Sequence, residues 1–235
     1  MWKLVELEWK KNRVSKYILG AIIVTALLGL FMYAQCYLGI ANDASTGVPD
    51  SAPGMETMAP QIELFTNLSF LIFTAVMMSS FIITPYKNKT MNLMFSYPIK
   101  RQKIVISQML SVWLFCFVAL LIGKLIVYTI LWVVKGSVTA YFSLGYNMAD
   151  VSFYIQIVLK SAVTVTLGFI ALFIGNSMKS SKAAIITAFL LFVVMNGTVG
   201  DFSLRGNAVV PMTLVIISLV CAYFSIFKVE TKDLK

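Results

Sequence analysis

The fold is decided around Pro85–Lys103, which reads PYKNKTMNLMFSYPIKRQK and separates two long apolar runs. This stretch contains five positive charges and no negative one. Met91, Met94 and Phe95 recur at i, i+3 and i+4, so a short helix here has one apolar face. Pro98 ends that helix, because its ring cannot continue the hydrogen-bond ladder. From charge alone the pattern favours two interpretations equally: docking into a soluble partner, or lying flat on anionic lipid.

The composition of the whole chain places the apolar runs in a membrane. Of 235 residues, 59% are hydrophobic and 12% are charged, and there is no histidine. A soluble domain of this length is much more polar. Several runs exceed the roughly 20 residues that cross a bilayer core. The chain is therefore predicted to be an all-α integral membrane protein, and its first apolar run is too long for a cleavable signal.

Six transmembrane helices account for the apolar runs and form a single transmembrane domain over 1–235. We expect the spans at about 17–40, 64–84, 104–134, 153–178, 183–195 and 208–227.

An interfacial helix is predicted over 1–16, before the first span. Trp2, Val5 and Trp9 lie on one helical face there, and basic residues surround the rest. Tryptophan favours the headgroup level and lysine extends its charge towards water, so this amphipathic helix should lie on the membrane surface. A disordered basic tail is the alternative, and two tryptophans in nine residues argue against it.

Acidic residues cluster around the first loop, 41–60, and one lysine falls inside the third span. Asp43, Asp50 and Glu56 lie in the loop, and Glu63 follows at the start of the next run. Two interpretations of these acids are open: attraction of cationic molecules, or simple solvation of an outer loop with no further role. Lys124 lies about 30 Å along its helix from Ile104, near the far interface, where we expect its side chain to snorkel.

The distribution of basic residues predicts the orientation. With six spans and both termini on one side, fifteen of the 19 lysine and arginine residues fall on that side, and the other four lie on the opposite side or inside spans. By the positive-inside rule, both termini and residues 85–103 are then cytoplasmic. This topology explains the net charge of +9, so no nucleic-acid partner is needed, and no motif for one is present.

Several kinds of chemistry are missing from the sequence. The central parts of spans two to six contain no Asp, Glu or His, which ion-coupled carriers usually need. No phosphate-binding loop, HExxH motif or nucleophile triad is present, so we predict no catalytic residue and no enzymatic activity. Cys36, Cys116 and Cys221 are interpreted as small hydrophobes, with neither a disulfide nor a metal site. Uphill transport would need a separate ATPase.

Small residues recur along the fourth span at spacings of 3, 4, 3 and 4. Such a stripe allows another helix to approach closely, so helix packing is favoured over contact with a substrate. The residues are Ser161, Thr164, Gly168, Ala171 and Gly175.

The sequence resembles a known family of membrane proteins. Residues 87–104 are similar to the cytoplasmic turn between spans two and three of ABC-2-type transporter permeases. In that family a threonine-containing start leads to a Leu/Phe-Ser-Tyr-Pro-Ile-x-Arg core and then to a span with an early lysine or glutamine. Phe95–Arg101 matches that core and Gln108 matches the early polar position. Lys87 and Lys89 stand where the family often has an acidic residue. The amphipathic start, six spans and acidic first outer loop extend the resemblance over the whole chain.

The resemblance implies a multi-pass permease domain of the bacterial plasma membrane. Two permeases, identical or related, would bind two ABC ATPase subunits. The ATP and Mg would be held by those subunits, and this chain would bind no cofactor. The helix within 89–96 would be a cytoplasmic coupling helix, pushed when the ATPase dimer closes, so that the spans rock. The predicted ATPase-coupling residues are Met91, Met94 and Phe95 in the groove of the ATPase, with Lys87, Lys89 and Arg101 at its rim.

Small permeases of this kind often export or clear amphipathic peptides, including lantibiotics, other bacteriocins and peptide toxins. A peptide-like substrate is therefore the first expectation for this chain, in export or in self-immunity. Two other functions remain open: a membrane anchor or sensor that binds a cytoplasmic regulator through 85–103, and a secondary carrier or channel without an ATPase. The missing midplane carboxylates argue against the carrier.

Overall fold

The computed structural model describes residues 2–38, 58–87, 101–134, 144–199, 202–203 and 209–231. Helices dominate these residues, and the only sheet among them is one antiparallel pair of two-residue strands, β1 (Thr198–Val199) and β2 (Phe202–Ser203). The helices are α1 (Trp2–Lys11), α2 (Ser15–Leu38), α3 (Met58–Met78), α4 (Thr84–Lys87), α5 (Arg101–Val133), α6 (Val151–Ser177), α7 (Ser181–Asn196) and α8 (Val209–Thr231).

Five stretches within these helices are long and apolar enough to cross a membrane. They are Ser15–Cys36, Met58–Ile83, Gln102–Val133, Val151–Ser177 and Val209–Phe227. The predicted fifth span is α7, an apolar helix of 16 residues. At about 1.5 Å per residue it is about 24 Å long, which is shorter than the bilayer core. The predicted all-α integral membrane fold is confirmed, with five full-length spans and this shorter helix.

Helix α3 begins earlier than the apolar pattern predicts. It starts at Met58, whereas the predicted span starts at about residue 64. Pro60 therefore falls in the first turn, where its missing N–H has no intrahelical partner in any case. The early start places Glu63 inside a helix rather than at the edge of a loop.

A five-residue π-helical turn, Ser79–Ile83, joins α3 to α4. The N–H of Thr84 bonds to the carbonyl of Ser79, and the Thr84 hydroxyl donates to the same oxygen at 3.1 Å. Pro85 follows at once, and proline can neither donate to the carbonyl four residues earlier nor fit beside it. The wider turn gives the backbone another hydrogen-bond pattern immediately before that proline.

The first of two compact units contains Met1–Ser15, Phe70–Val118 and Ala162–Lys235. Its apolar core lies where α3, α6 and α7 meet, and α8 packs against it through Leu214 and Cys221. The buried core residues are Leu71, Ala75, Leu167, Ile170, Ala171 and Ala188.

The second unit contains Lys16–Ser69 and Ala119–Ser161. Phe31 of α2 meets Phe65 of α3 edge to face, with ring centroids 5.1 Å apart. Gly29 lets α2 approach α5 closely, since a Cβ at this position would lie 3.2 Å from the Cδ1 atom of Ile130. Aliphatic side chains such as Met32, Ile62 and Leu131 are also buried in this unit, together with Lys124 and Tyr128 of α5.

Helix α1, the predicted interfacial helix, ends in a defined C-cap. The N–H of Val14 donates to the carbonyl of Trp9 at 3.2 Å, and the N–H of Arg13 donates to that of Lys10 at 3.3 Å. Arg13 has φ of 47°, in the left-handed region. This is the Schellman arrangement, with an arginine at the position that glycine usually occupies. Its positive charge suits the negative end of the helix dipole.

Candidate functional site

The predicted ATPase-coupling residues fall in and beside 88–100. Lys89, Met91, Met94 and Phe95 lie outside the described residues, as do the side chains of Lys87 and Arg101. The backbone shows that α4 ends at Lys87 and that α5 begins at Arg101. The predicted coupling segment therefore connects the ends of these two helices.

One face of α1 packs on the start of α5. The side chain of Val5 is 1% exposed and Glu8 is buried, whereas Trp2 is 66% exposed. The indole N–H of Trp9 donates to the carbonyl oxygen of Ser111 at 3.2 Å. The indole ring of Trp2 meets that of Trp9 edge-on at 6.5 Å. Of the three residues predicted to share a face, Val5 and Trp9 therefore contact the protein, and Trp2 lies at the rim.

Glu8 forms a second contact between α1 and α5, which the sequence analysis missed. The side-chain amide of Gln108 donates to Glu8 Oε1 at 3.4 Å, and that of Asn12 donates to Glu8 Oε2 at 3.2 Å. Lys11 adds its charge at 3.7 Å. Glu8 follows Val5 by three residues and so shares its face, a sequence signal that could have indicated a buried acid.

Replacing Trp9 with phenylalanine should weaken the attachment of α1. It removes one partly buried hydrogen bond and some packing, so we expect a loss of about 1–2 kcal/mol in stability. Trp2→Phe is the matched control, because Trp2 is mostly exposed, and it should change stability by less than about 0.5 kcal/mol. Thermal unfolding in one detergent measures both; equal effects would contradict the assigned contact.

The small residues of α6 all lie in the protein interior. Ser161, Thr164, Gly168, Ala171 and Gly175 are buried. A Cβ at Gly168 would lie 2.7 Å from Thr74 Cγ2 on α3, and one at Gly175 would lie 2.6 Å from Ile83 Cδ1 and 2.7 Å from the Cβ of Ala184 on α7. In the first unit, neighbouring segments thus approach α6 at these two glycines so closely that a Cβ does not fit without a shift.

Gly168→Leu should destabilise the protein, because the added side chain has to displace Thr74 and with it α3. Overpacking of this kind costs about 1–3 kcal/mol. Val158→Leu, at an exposed position of the same helix, should leave thermal stability unchanged. Normal expression and an unchanged unfolding temperature for Gly168→Leu would contradict close packing at this position.

A buried ion pair in the second unit corrects the prediction for Lys124. Its Nζ atom lies 2.9 Å from Glu63 Oε2, and its side chain is 0% exposed while that of Glu63 is 12% exposed. The hydroxyl of Tyr128 donates to Glu63 Oε1 at 3.3 Å, and the amide of Asn67 donates to Oε2 at 3.4 Å. Lys124 therefore does not snorkel to the interface, because the early start of α3 supplies a carboxylate beside it. Glu63 is likewise no longer a solvated loop acid.

Tyr128 connects this pair to the segment before α6. Its carbonyl accepts a hydrogen bond from the hydroxyl of Tyr146 at 2.9 Å. The rings of Tyr146 and Phe153 lie 4.8 and 5.0 Å from that of Tyr128. Burial raises the pKa of the Tyr146 phenol above its usual value, so the hydroxyl stays a donor at physiological pH. The N–H of Ala59 also donates to the carbonyl of Leu144, at 3.2 Å.

Polar side chains in the described part of the chain do not form an arrangement that suggests a cofactor site. Among the described residues there is no group of three or more His, Cys, Asp or Glu side chains that could hold a metal ion. Cys36, Cys116 and Cys221 are free, and the first two are buried.

Comparisons with known proteins agree with this architecture. The family model described as "ABC-2 family transporter protein" matches residues 2–208. A protein of Bacillus subtilis (strain 168), named Uncharacterized protein YcbO, is 25% identical over 245 residues, covering 98% of this chain and 99% of the relative. No solved structure matches the chain. The family match spans α1, the segment 88–100 and the helices on both sides of it. This chain therefore belongs to the ABC-2 family of transporter proteins, as a multi-pass transmembrane subunit.

Proposed function

We propose that this chain is the permease of an ATP-driven exporter, working as a pair of identical or related permeases with two ABC ATPase subunits. The observation with the greatest weight is the family match over residues 2–208, which includes the basic segment 88–100. This sequence has no phosphate-binding loop of its own, so ATP-driven transport would need nucleotide to be bound by a separate subunit. The partner ATPase would bind ATP and Mg.

Coupling in this proposal begins at 88–100. Met91, Met94 and Phe95 would sit in a groove of the ATPase, with Lys87, Lys89 and Arg101 at its rim. Closure of the ATPase dimer would then push on α4 and α5, a rigid-body change biased by nucleotide.

The interfacial helix α1 would move with the start of α5 during this change. Trp9 and Glu8 contact Ser111 and Gln108, which lie in the first three turns of α5. Helix α1 would therefore rest on the membrane surface and follow each displacement of the coupling segment. Both termini and 88–100 would face the cytoplasm of a bacterial cell, as the positive-inside rule predicts.

An amphipathic peptide, such as a bacteriocin, lantibiotic or peptide toxin, is our proposed cargo. Large apolar side chains are frequent among the described spans, and such surfaces suit an apolar or amphipathic molecule. Asp43, Asp50 and Glu56 would attract a cationic cargo at the outer side. Glu63 does not join them, because Lys124 neutralises it.

A cysteine at Asp50 tests the orientation. In a background without the native cysteines, Asp50→Cys should react with an impermeant thiol reagent added to intact cells, because the first loop is predicted to be outside. Lys179→Cys, on the predicted cytoplasmic side, should react only after lysis. The reverse pattern would overturn the proposed topology.

Affinity purification of the tagged full-length protein from its native membrane tests the function. Mass spectrometry should find an ABC ATPase in stoichiometric amount, and ATP hydrolysis should respond to the permease. A stoichiometric regulator without nucleotide turnover would support the membrane anchor instead. Transport that follows an ion gradient with no ATPase present would support a secondary carrier.

A further inference from the structure

Glu63 and Lys124 lie at nearly equal numbers of residues from 88–100. Glu63 is on the helical stretch that precedes this segment, and Lys124 is on the helix that follows it. Glu63 precedes the end of α4 at Lys87 by 24 residues, and Lys124 follows the start of α5 at Arg101 by 23 residues. At about 1.5 Å per residue, each of these counts corresponds to about 35 Å measured along the helical path. The pair therefore joins the two helices that would receive the push of the ATPase, at the end remote from it.

The pair also holds together several chain segments of the second unit. Tyr128, one turn after Lys124, contacts Glu63 through its hydroxyl and Tyr146 through its carbonyl. Its ring lies against Phe153 at the start of α6. The start of α3 and the segment before α6 are further linked by the Ala59–Leu144 hydrogen bond. Separation of Glu63 from Lys124 would thus loosen this whole group of contacts.

The chemistry of the pair makes its strength depend on water. Attraction between unit charges falls steeply as the surroundings change from a dry interior to water. An apolar contact at the same place would instead oppose the entry of water, because exclusion from water is what stabilises it. Replacement of a buried ion pair by apolar side chains is often neutral or stabilising. Fold stability alone therefore does not explain charges at this position.

The two side chains differ in their access to solvent. Glu63 is 12% exposed and Lys124 is wholly enclosed. Water that enters from the surface would reach the carboxylate first and solvate both charges as they part. Opening is then much less costly than the separation of two charges in a dry interior.

We propose that Glu63, Lys124 and Tyr128 form an ionic latch that holds closed the end of the helices remote from 88–100, and that water entry releases it in each transport cycle. Glu63 and Lys124 are positioning residues, since they hold helices together and need not touch the cargo. The latch rests on the proposed ATP-driven function, which supplies the energy that opens it.

A single reporter cysteine tests the latch without knowledge of the cargo. Thr66→Cys, one turn from Glu63 at a residue whose hydroxyl bonds to backbone carbonyls of its own helix, is placed in a background without native cysteines, in the full complex with its ATPase in lipid nanodiscs. The probe is a charged methanethiosulfonate reagent, which labels thiols in contact with water. With the pair intact, labelling should be at least about 10-fold faster in the ATP–vanadate state than without nucleotide, because the thiol becomes hydrated.

The matched variant is Glu63→Leu/Lys124→Met, which replaces the ionic contact by an apolar one. It should unfold at the same temperature as the wild type or a higher one, yet show the slow labelling rate in both nucleotide states. The latch would be overturned if the labelling rate of this variant responded to nucleotide as strongly as that of the intact pair. It would also be overturned if the labelling rate with the intact pair did not change with nucleotide while ATP hydrolysis was normal. Lack of vanadate-sensitive ATP hydrolysis in the wild-type sample would instead overturn the proposed function, and with it an ATP-driven latch.

Discussion

Glu63→Leu alone is expected to destabilise this protein by about 3–5 kcal/mol, the usual cost of breaking a buried ion pair by removing one partner. The reason is the position of Lys124, whose side chain is 0% exposed and whose ammonium lies 2.9 Å from the Glu63 carboxylate. Without that carboxylate a positive charge remains enclosed in the protein. We expect little folded protein after detergent extraction, measured by size exclusion and thermal unfolding.

The reciprocal and double variants provide the controls. Lys124→Met should cost less than Glu63→Leu, because Glu63 is partly exposed and keeps the Tyr128 and Asn67 donors. The double variant Glu63→Leu/Lys124→Met should be at least as stable as the wild type, since no unpaired charge remains. Losses that simply add in the double variant would show that the two charges do not interact.

Phe95→Asp should abolish co-purification of the ATPase. The proposed groove would have to accept a charge with no partner in place of an aromatic ring, and loss of a central aromatic contact typically costs about 2–4 kcal/mol. A loss of 3 kcal/mol corresponds to roughly a hundredfold weaker complex. Pull-down of the tagged permease, with the ATPase quantified by mass spectrometry, measures this directly.

Ser96→Asp is the matched control for Phe95→Asp. It introduces the same charge one residue later, on the other face of the predicted helix, away from Met91 and Met94. The ATPase should still be recovered with it, though somewhat less because of the altered net charge of the segment. Undiminished recovery with Phe95→Asp would remove the apolar face from the proposed interface.

The sequence was sufficient to predict the membrane fold, because a bilayer restricts the possibilities so strongly. Backbone polar groups inside the membrane have to be satisfied within each helix. Length and hydropathy therefore predicted full-length spans such as α2 and α5. The expected fifth span at 183–195 likewise lies within α7, Ser181–Asn196.

The contacts between distant residues could not be predicted from local pattern. Glu63 and Lys124 are 61 positions apart, and Glu8 and Gln108 are 100 positions apart. Periodicity shows which residues share a face but not which helix that face meets. Pro60 and the preceding glycine- and proline-rich stretch favoured a loop over 41–60 and a span that begins only at about residue 64, although a proline is compatible with the first turn of a helix. The lysine was therefore interpreted without its partner.

The π-helical turn at Ser79–Ile83 affects how this protein should be compared with its relatives. A π-turn holds one residue more than an α-turn, so it amounts to an insertion within an otherwise regular helix. A relative with an uninterrupted helix at this point needs a gap of one position in the alignment. Without that gap, correspondences beyond Thr84 shift by one residue, which rotates each matched side chain by about 100°. Residue assignments for 88–100 should therefore be transferred between members of the family only after the helix register at this turn has been compared.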